Sequence, residues 1–561
     1  MLLVATLWPA HWDTLTTRTD PDRHAQACDL LSGHNIDVPE RFSPAALSKL
    51  AEEAGTDPRL AEAAARAADG QITQYLAGAP VLLDRYQQAP PGARALIWAA
   101  MDARRLRCGP HLPLALLETA APGYLTDSEW DQLDDNWLEQ ALAYATRPGN
   151  GIPGPLTRIR PRNPGPHYAG DAAGTGHDGM SLYRLADYLD QYGRRHRHAL
   201  IPPPSFWTAA PCAQPADLST LAAASYIRGL YRAAAQLLKS SAARGDPRAG
   251  ADLIAILHEL YPGDHRPAQW VTVNVSLGDP TVVARLLDRL REAGTQDQVT
   301  ALLARDPAAH VALDDPTGVD RLLGRLREAG AQDQVSALAD RAAAHIPLDD
   351  PTGVARLLGS LRAAGAQDQV TALLARDPAA HVALDDPSAV AVLLGSLRAA
   401  GAQDQVTALL ARDPDPLAVA SRLGRLHELA VASRLGSLRE DQVSALADRA
   451  AAHVALDNPA GVADLLGNLR AAGTQDQVTA LLARDPAAHV ALDNPFGVAG
   501  ILLGSLREAG AEEQVTLLVN RLPGEGLFDL FRAQGNHQAL YRFGRNPDGS
   551  PAEPWDWEDL D

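Results

Sequence analysis

The sequence predicts a mostly α-helical protein whose largest single region is an α-solenoid. Two observations predict it. The string "DQVTALLARDPAAHVALDDP" (297–316) returns almost unchanged at 368–387 and 476–495. The valine that follows Asp-Gln or Glu-Gln recurs at Val299, Val335, Val370, Val406, Val443, Val478 and Val515, a period of about 36 residues. Self-similarity at such a period is the mark of stacked repeats.

Each copy reads as a helical hairpin. In "DPTGVDRLLGRLREAG" (315–330), Val319, Leu322, Leu323 and Leu326 form the i, i+3, i+4, i+7 stripe of an amphipathic helix. Asp315 stands at the N-cap and Pro316 at the first helical position, where a missing N–H costs nothing. Gly330 supplies the stop. A second helix carries Val335, Leu338 and Ala342, and the segment to "HIPLDDP" closes the unit. A hairpin with one apolar side needs neighbours to cover it, so the copies are expected to stack in series. The array starts near 274–280, with Asn274 in the histidine position. A twelve-residue tandem copy at 418–438 is expected to disturb it. The period lies near tetratricopeptide and ankyrin lengths, but neither signature is present.

The texture changes before the array. Seven of nine Trp lie at or before Trp270, and Phe496 is the only aromatic residue from 271 to 527. Residues 1–150 combine a short apolar, strand-like start with helices, including a Thr126…Glu129 capping box. Residues 146–179 read as Gly/Pro-rich loops, 181–192 as helix and 215–246 as a helical hairpin. Residues 545–561 read as an acidic tail.

Charge and composition narrow the partners. The 561 residues carry a formal net charge of -19, which repels phosphate backbones and anionic lipid, so neither nucleic acid nor a membrane is expected. Residues 271–520 hold 21 Arg against 32 acidic residues. Such an array lacks the basic charge and stacking rings of a single-strand groove, and its functional reading is a protein-binding face. Three cysteines spread over the chain form no framework or metal knuckle, which fits a reducing cytoplasm. The start of the chain has no basic region before its apolar run, so a signal peptide is not expected.

The motifs weigh against catalysis. "GTGHDG" (174–179) matches G-x-G-x-x-G without a strand before it and reads as a loop. Neither Lys49 nor Lys239, the only lysines, follows a glycine, so there is no Walker A loop. The histidine ladder His310, His345, His381, His453 and His489 is the one candidate partner-binding face. Its rungs lie about 8–10 Å or more apart, as packed helices do, whereas a zinc–nitrogen bond needs about 2 Å. The plainer reading is a histidine that caps carbonyls at a helix C-terminus or packs between copies. The basic spots 158–162 and 193–198 read as a solvated loop and a helix C-terminus.

Residues 1–210 resemble part of an actinobacterial signal-transduction ATPase of the STAND (NACHT/NB-ARC-like) class. The resemblance rests on "ATLWPAHWDTL" (5–15), "QITQYLAGAPVLLDRY" (71–86), "ALIWAAMDARRL" (95–106), "AAPGYLTDSEW" (120–130), "PLTRIRPR" (155–162) and "YRLADYLDQYGRR" (183–195), and the ending 543–561 is similar too. The resemblance implies a partial NTPase-like strand plus helical lid at 1–150 and a winged-helix-like module with a flexible loop at 151–212. Helical linker hairpins at 213–270, the repeats at 271–523 and a cap with an acidic tail at 524–561 complete the plan. It implies that "LLVAT" is a late strand of the nucleotide domain, with Thr6 the only nucleotide-proximal residue, and that the chain is a C-terminal portion. The expected function is regulatory: the repeats bind a protein or peptide partner with a basic surface, without catalysis, cofactor or metal. A plain repeat scaffold, or an NTPase subunit given its P-loop by upstream sequence or another chain, are the alternatives.

Overall fold

The computed structural model describes residues 42–53, 79–148, 152–159, 181–381, 387–412, 450–492 and 498–560, apart from 453 and 472, with positions 12, 15 and 31 in isolation. The strand-like start, "GTGHDG" and the tandem copy at 418–438 lie outside the described residues. The described residues are mostly helical, with one small sheet. They fall into two units: Met1–Ala77 with Ala268–Ala430, and Gly78–Pro267 with Val431–Asp561.

The first unit holds four hairpin copies. Their first helices are Pro280–Glu292, Pro316–Glu328, Pro351–Ala363 and Pro387–Ala399, each packed on the next. The local signals act as their chemistry dictates. The Asp279, Asp315 and Asp350 carboxylates accept the N–H of Val282, Gly318 and Thr352 at 3.1, 2.9 and 2.9 Å. Val319, Leu322, Leu323 and Leu326 are buried. Gly330 adopts φ 75°, a left-handed stop that a Cβ would strain.

The second helix differs from the sequence expectation. In the first three copies, it is continuous at Gln332–His345 but breaks into Gln296–Ala304 with Pro307–His310 and into Gln367–Ala375 with Pro378–His381. The broken copies carry Asp-Pro where the continuous one carries Ala342-Ala343. Proline has no N–H to continue a helix and its ring clashes with the preceding turn. The preceding Asp306 and Asp377 take φ 50° and 51°, a region that Asp tolerates better than most residues.

The second unit holds copies of the same hairpin at Pro459–Ala471 with Gln475–Leu482 and Pro486–His489, and at Val498–Glu508 with Glu512–Arg521. Its other part is built on helix α1 (Pro91–Arg105), which is buried along most of its surface. Strand β1 (Leu112–Pro113), α2 (Leu114–Ala120), α3 (Asp127–Asp131) and α4 (Trp137–Thr146) follow, then β2 (Leu156–Ile159) and β3 (Leu182–Leu185). The sheet order is β1-β3-β2, all antiparallel, with Leu112 opposite Tyr183 and Leu156 opposite Leu185. Two segments therefore correct the expectation: 156–159 is strand rather than loop, and 182–185 is strand rather than helix. β3 shows only Arg184 to solvent; its Leu182 and Leu185 stand three apart, a spacing that a helix shares, so the pattern does not reveal a strand. The Thr126–Glu129 capping box is present, with both reciprocal bonds. Beyond β3 come α5 (Asp187–His196), α6 (Pro215–Tyr226), α7 (Tyr231–Ala243) and α8 (Pro247–Leu260).

One ion cluster locks this part. Asp102 of α1 is fully buried and accepts bonds from Arg105 Nε (2.7 Å), Arg197 Nε and Nη2 (2.8 and 2.9 Å) and the Tyr124 hydroxyl (2.8 Å). Arg197 also lies over the rings of Trp98 and Tyr124. The basic run 193–198 is thus not all solvated: its Arg197 is half-buried against α1. Burial opposes the charge on Asp102, but the bonds and charges of Arg197 and Arg105 outweigh it and hold the carboxyl below the usual range. Asp102→Asn leaves two arginines short of a counter-charge and is expected to cost about 3–5 kcal/mol, measured by urea unfolding. The folded-state pKa is depressed, so this stability is fully present above the ordinary value of about 3.9. It is lost as pH falls through the lower folded value; Asp102→Asn should remove that component of the acid transition.

Candidate functional site

The ends of the second helices carry the repeated chemistry. Six residues after each marker valine stands an arginine: Arg305, Arg341, Arg376, Arg412, Arg449, Arg484 and Arg521. Among the described side chains, each guanidinium reaches back to the end of the preceding copy. Arg305 donates to the carbonyls of Thr272 and Val275 at 2.5 and 2.8 Å. Arg341 donates to Ala308 and, at 3.1 Å, to Val311. Arg376 donates to Ala343 and Ile346 at 3.0 and 2.6 Å. Arg484 and Arg521 repeat the fork on Ala451 with Val454 and on Ala487 with Val490. A helix leaves its last carbonyls without partners, and a planar guanidinium can satisfy two at once.

The histidine ladder flanks those carbonyls without capping them. His310, His345, His381 and His489 each end a helix and are exposed; His453 lies outside the described residues. The expected capping role falls to the arginine of the following copy. Sequence reasoning passed over that arginine because it looks like one more basic residue on a helix. Its invariance in position was the signal available.

Glutamines add a second link. Gln334 and Gln405 Nε2 donate to the carbonyls of Leu303 and Leu374, each at 2.6 Å. Gln369 and Gln514 bond the carboxylates of Asp340 and Asp485 at 2.7 Å. Backbone joins too: Ala312 N–H donates to Gly278 O at 2.7 Å, and Ala491 N–H to Asp457 O at 3.1 Å.

The hydroxyls of Thr300, Ser336, Thr371, Thr407, Thr479 and Thr516 bond the carbonyl one turn earlier in their own helix. What recurs in the first turn of each second helix is an exposed carboxylate: Asp297, Asp333, Asp368, Asp404, Asp476 and, in the last copy, Glu513. Elsewhere, Cys108 is buried; burial and then Asp217 push its thiol up, which keeps it protonated. Among the described residues no group of three His, Cys, Asp or Glu could hold a metal ion.

No protein-family model, curated protein or solved structure matches the chain.

Removing one fork tests its weight. Arg341→Ala is expected to cost about 3 kcal/mol, because hydrogen bonds to a charged group contribute about 1.5–3 kcal/mol each and are only partly additive. Arg341→Lys should recover less than half, since an ammonium does not reproduce the planar fork. His345→Ala should change stability by less than about 0.5 kcal/mol, as exposed sites do. Urea unfolding with hydrogen exchange at 307–315 measures all three.

Proposed function

We propose that the chain is a regulatory binding protein whose repeats form an α-solenoid and take a protein or peptide partner. The observation that carries this is the recurrence of one exposed carboxylate at the same helix position in successive copies. Side chains repeated in register suit an extended ligand that touches several copies and gains by avidity. The carboxylates favour a basic ligand and a salt-dependent on-rate, and the near absence of aromatic residues makes each contact modest.

The N-terminal part supports a switching role over an inert scaffold. A buried helix, three short elements and a β1-β3-β2 antiparallel sheet resemble the arrangement of a winged helix, which supports that reading. It would span 91–185, rather than the 151–212 that the family resemblance implies. Its α4 and the approach to it carry Asp131, Asp134, Asp135 and Glu139, which argues against a phosphate backbone as ligand. A reducing cytoplasm fits the free thiols Cys108 and Cys212. Among the described residues no helix is long and apolar enough to cross a membrane.

Fluorescence anisotropy with extended Arg/Lys-rich peptides tests the reading. Affinity should fall at least roughly tenfold, about 1.4 kcal/mol, in Asp297→Asn/Asp333→Asn/Asp368→Asn, in a chain lacking residues 316–386, and as salt rises. A folded variant that binds as well as the parent at every salt concentration would make the array a spacer. The purified chain is also expected to release no phosphate from ATP; turnover that co-purifies with it would restore the NTPase alternative.

A further inference from the structure

The C-terminal segment 522–560 lies on the α6–α7 turn, on α7 and on Tyr261 just beyond α8, and it does so in two physically different ways. Residues 528–545 are interlocked with the fold. Phe528 is 1 % exposed and its ring closes on Gly229. That glycine holds φ 80°, and a Cβ there would fall 2.5 Å from the Phe528 ring. Phe528 N–H donates to Ile227 O at 3.2 Å and Arg545 N–H to Gly229 O at 2.8 Å. The Phe528 ring meets Tyr231 edge-on and stacks with Phe531. Arg532 bonds the Tyr231 hydroxyl at 2.9 Å.

Residues 553–560 sit differently. Only Trp555 and Leu560 are buried. Trp555 donates its backbone N–H to the Tyr261 hydroxyl at 3.1 Å and its indole N–H to Phe543 O at 3.3 Å, and its ring meets Tyr261 edge-on. Lys239 Nζ lies 4.2 Å from the centre of the Trp557 ring. Arg232 and Gln236 both donate to Asp559 O, at 3.1 and 3.2 Å. Arg266 pairs with Glu558 at 3.3 Å and Asp556 at 3.8 Å. All these ion pairs are well exposed. The segment holds Glu553, Asp556, Glu558 and Asp559 and no base, while the receiving side presents Arg232, Lys239 and Arg266, the last also paired with its own neighbour Asp264 at 2.8 Å.

Two buried anchors within a rim of exposed ion pairs is the anatomy of a bound peptide rather than of a core. We propose that Arg232, Gln236, Lys239, Tyr261 and Arg266 form a recognition groove for an acidic peptide with a Trp-x-Trp pair. Residues 553–560 of this chain occupy it as a ligand in cis, and an added peptide of the same chemistry exchanges with them. The groove is separate from the repeat face and does not rest on the function proposed for it. Tethering gives the cis ligand a millimolar effective concentration, so a segment with micromolar intrinsic affinity keeps the groove closed. Exposed pairs of this kind are weak and salt-screened, so closure loosens as salt rises.

The test uses the full chain and a fluorescein-labelled peptide of residues 551–560. The parent should bind it weakly. Trp555→Ser, which removes the cis anchor, should bind it at least about tenfold more tightly, because the apparent constant is divided by the fraction of open groove. Lys239→Glu added to Trp555→Ser should abolish the gain, and 500 mM salt (about a 4 Å Debye length) should reduce it. Trp555→Ser should leave thermal unfolding close to the parent's, whereas Phe528→Ala should lower it sharply. If Trp555→Ser binds no better than the parent, or its unfolding drops as far as that of Phe528→Ala, then 553–560 is an ordinary part of the core and the proposal is overturned.

Discussion

A helix that ends inside a protein must place its last carbonyls, and the repeats depend on how they do so. Among the described copies two carbonyls stand open at the end of a second helix, and the arginine of the copy that follows closes them. Apolar stacking supplies most of the favourable free energy, but it has little directional preference. The fork has a direction and a register: it fits one arginine to one pair of carbonyls, 33 and 30 residues earlier in most copies. A described copy is thereby completed by the one that follows it. In the second unit the last fork, from Arg521, is followed by segment 522–545, which packs on the α6–α7 turn and on α7 instead of on another hairpin.

Charge is used in two opposite ways. Asp102 is sealed among Arg105, Arg197 and Tyr124, so its carboxylate has every bond it can use and no solvent. Such a cluster contributes specificity of packing at a large desolvation cost, and losing one member is expensive. The carboxylates that begin the second helices are the reverse. They are exposed, favourably placed near a helix N-terminus, and free to meet a ligand. The ion pairs between neighbouring first helices, Arg291–Glu328 and Arg470–Glu508, are half-exposed and add at most modest stability.

Local signals in the sequence set the structure of each described repeat. Helix starts, stops and buried stripes are set within a few residues by Asp caps, Pro at the first position, Gly beyond the end and leucine spacing. The observed 280–292, 316–328 and 351–363 helices follow those signals. The sequence also contained the recurring arginine, although not its use. Pairing at a distance is settled by packing instead. Arg197 finds Asp102 across 95 residues, and Asp559 finds Arg232 across 327. The two short strands of 156–159 and 182–185 exist because they pair with each other. Nothing in a short window ranks one distant partner above another, because that choice depends on which surfaces the packed helices bring together.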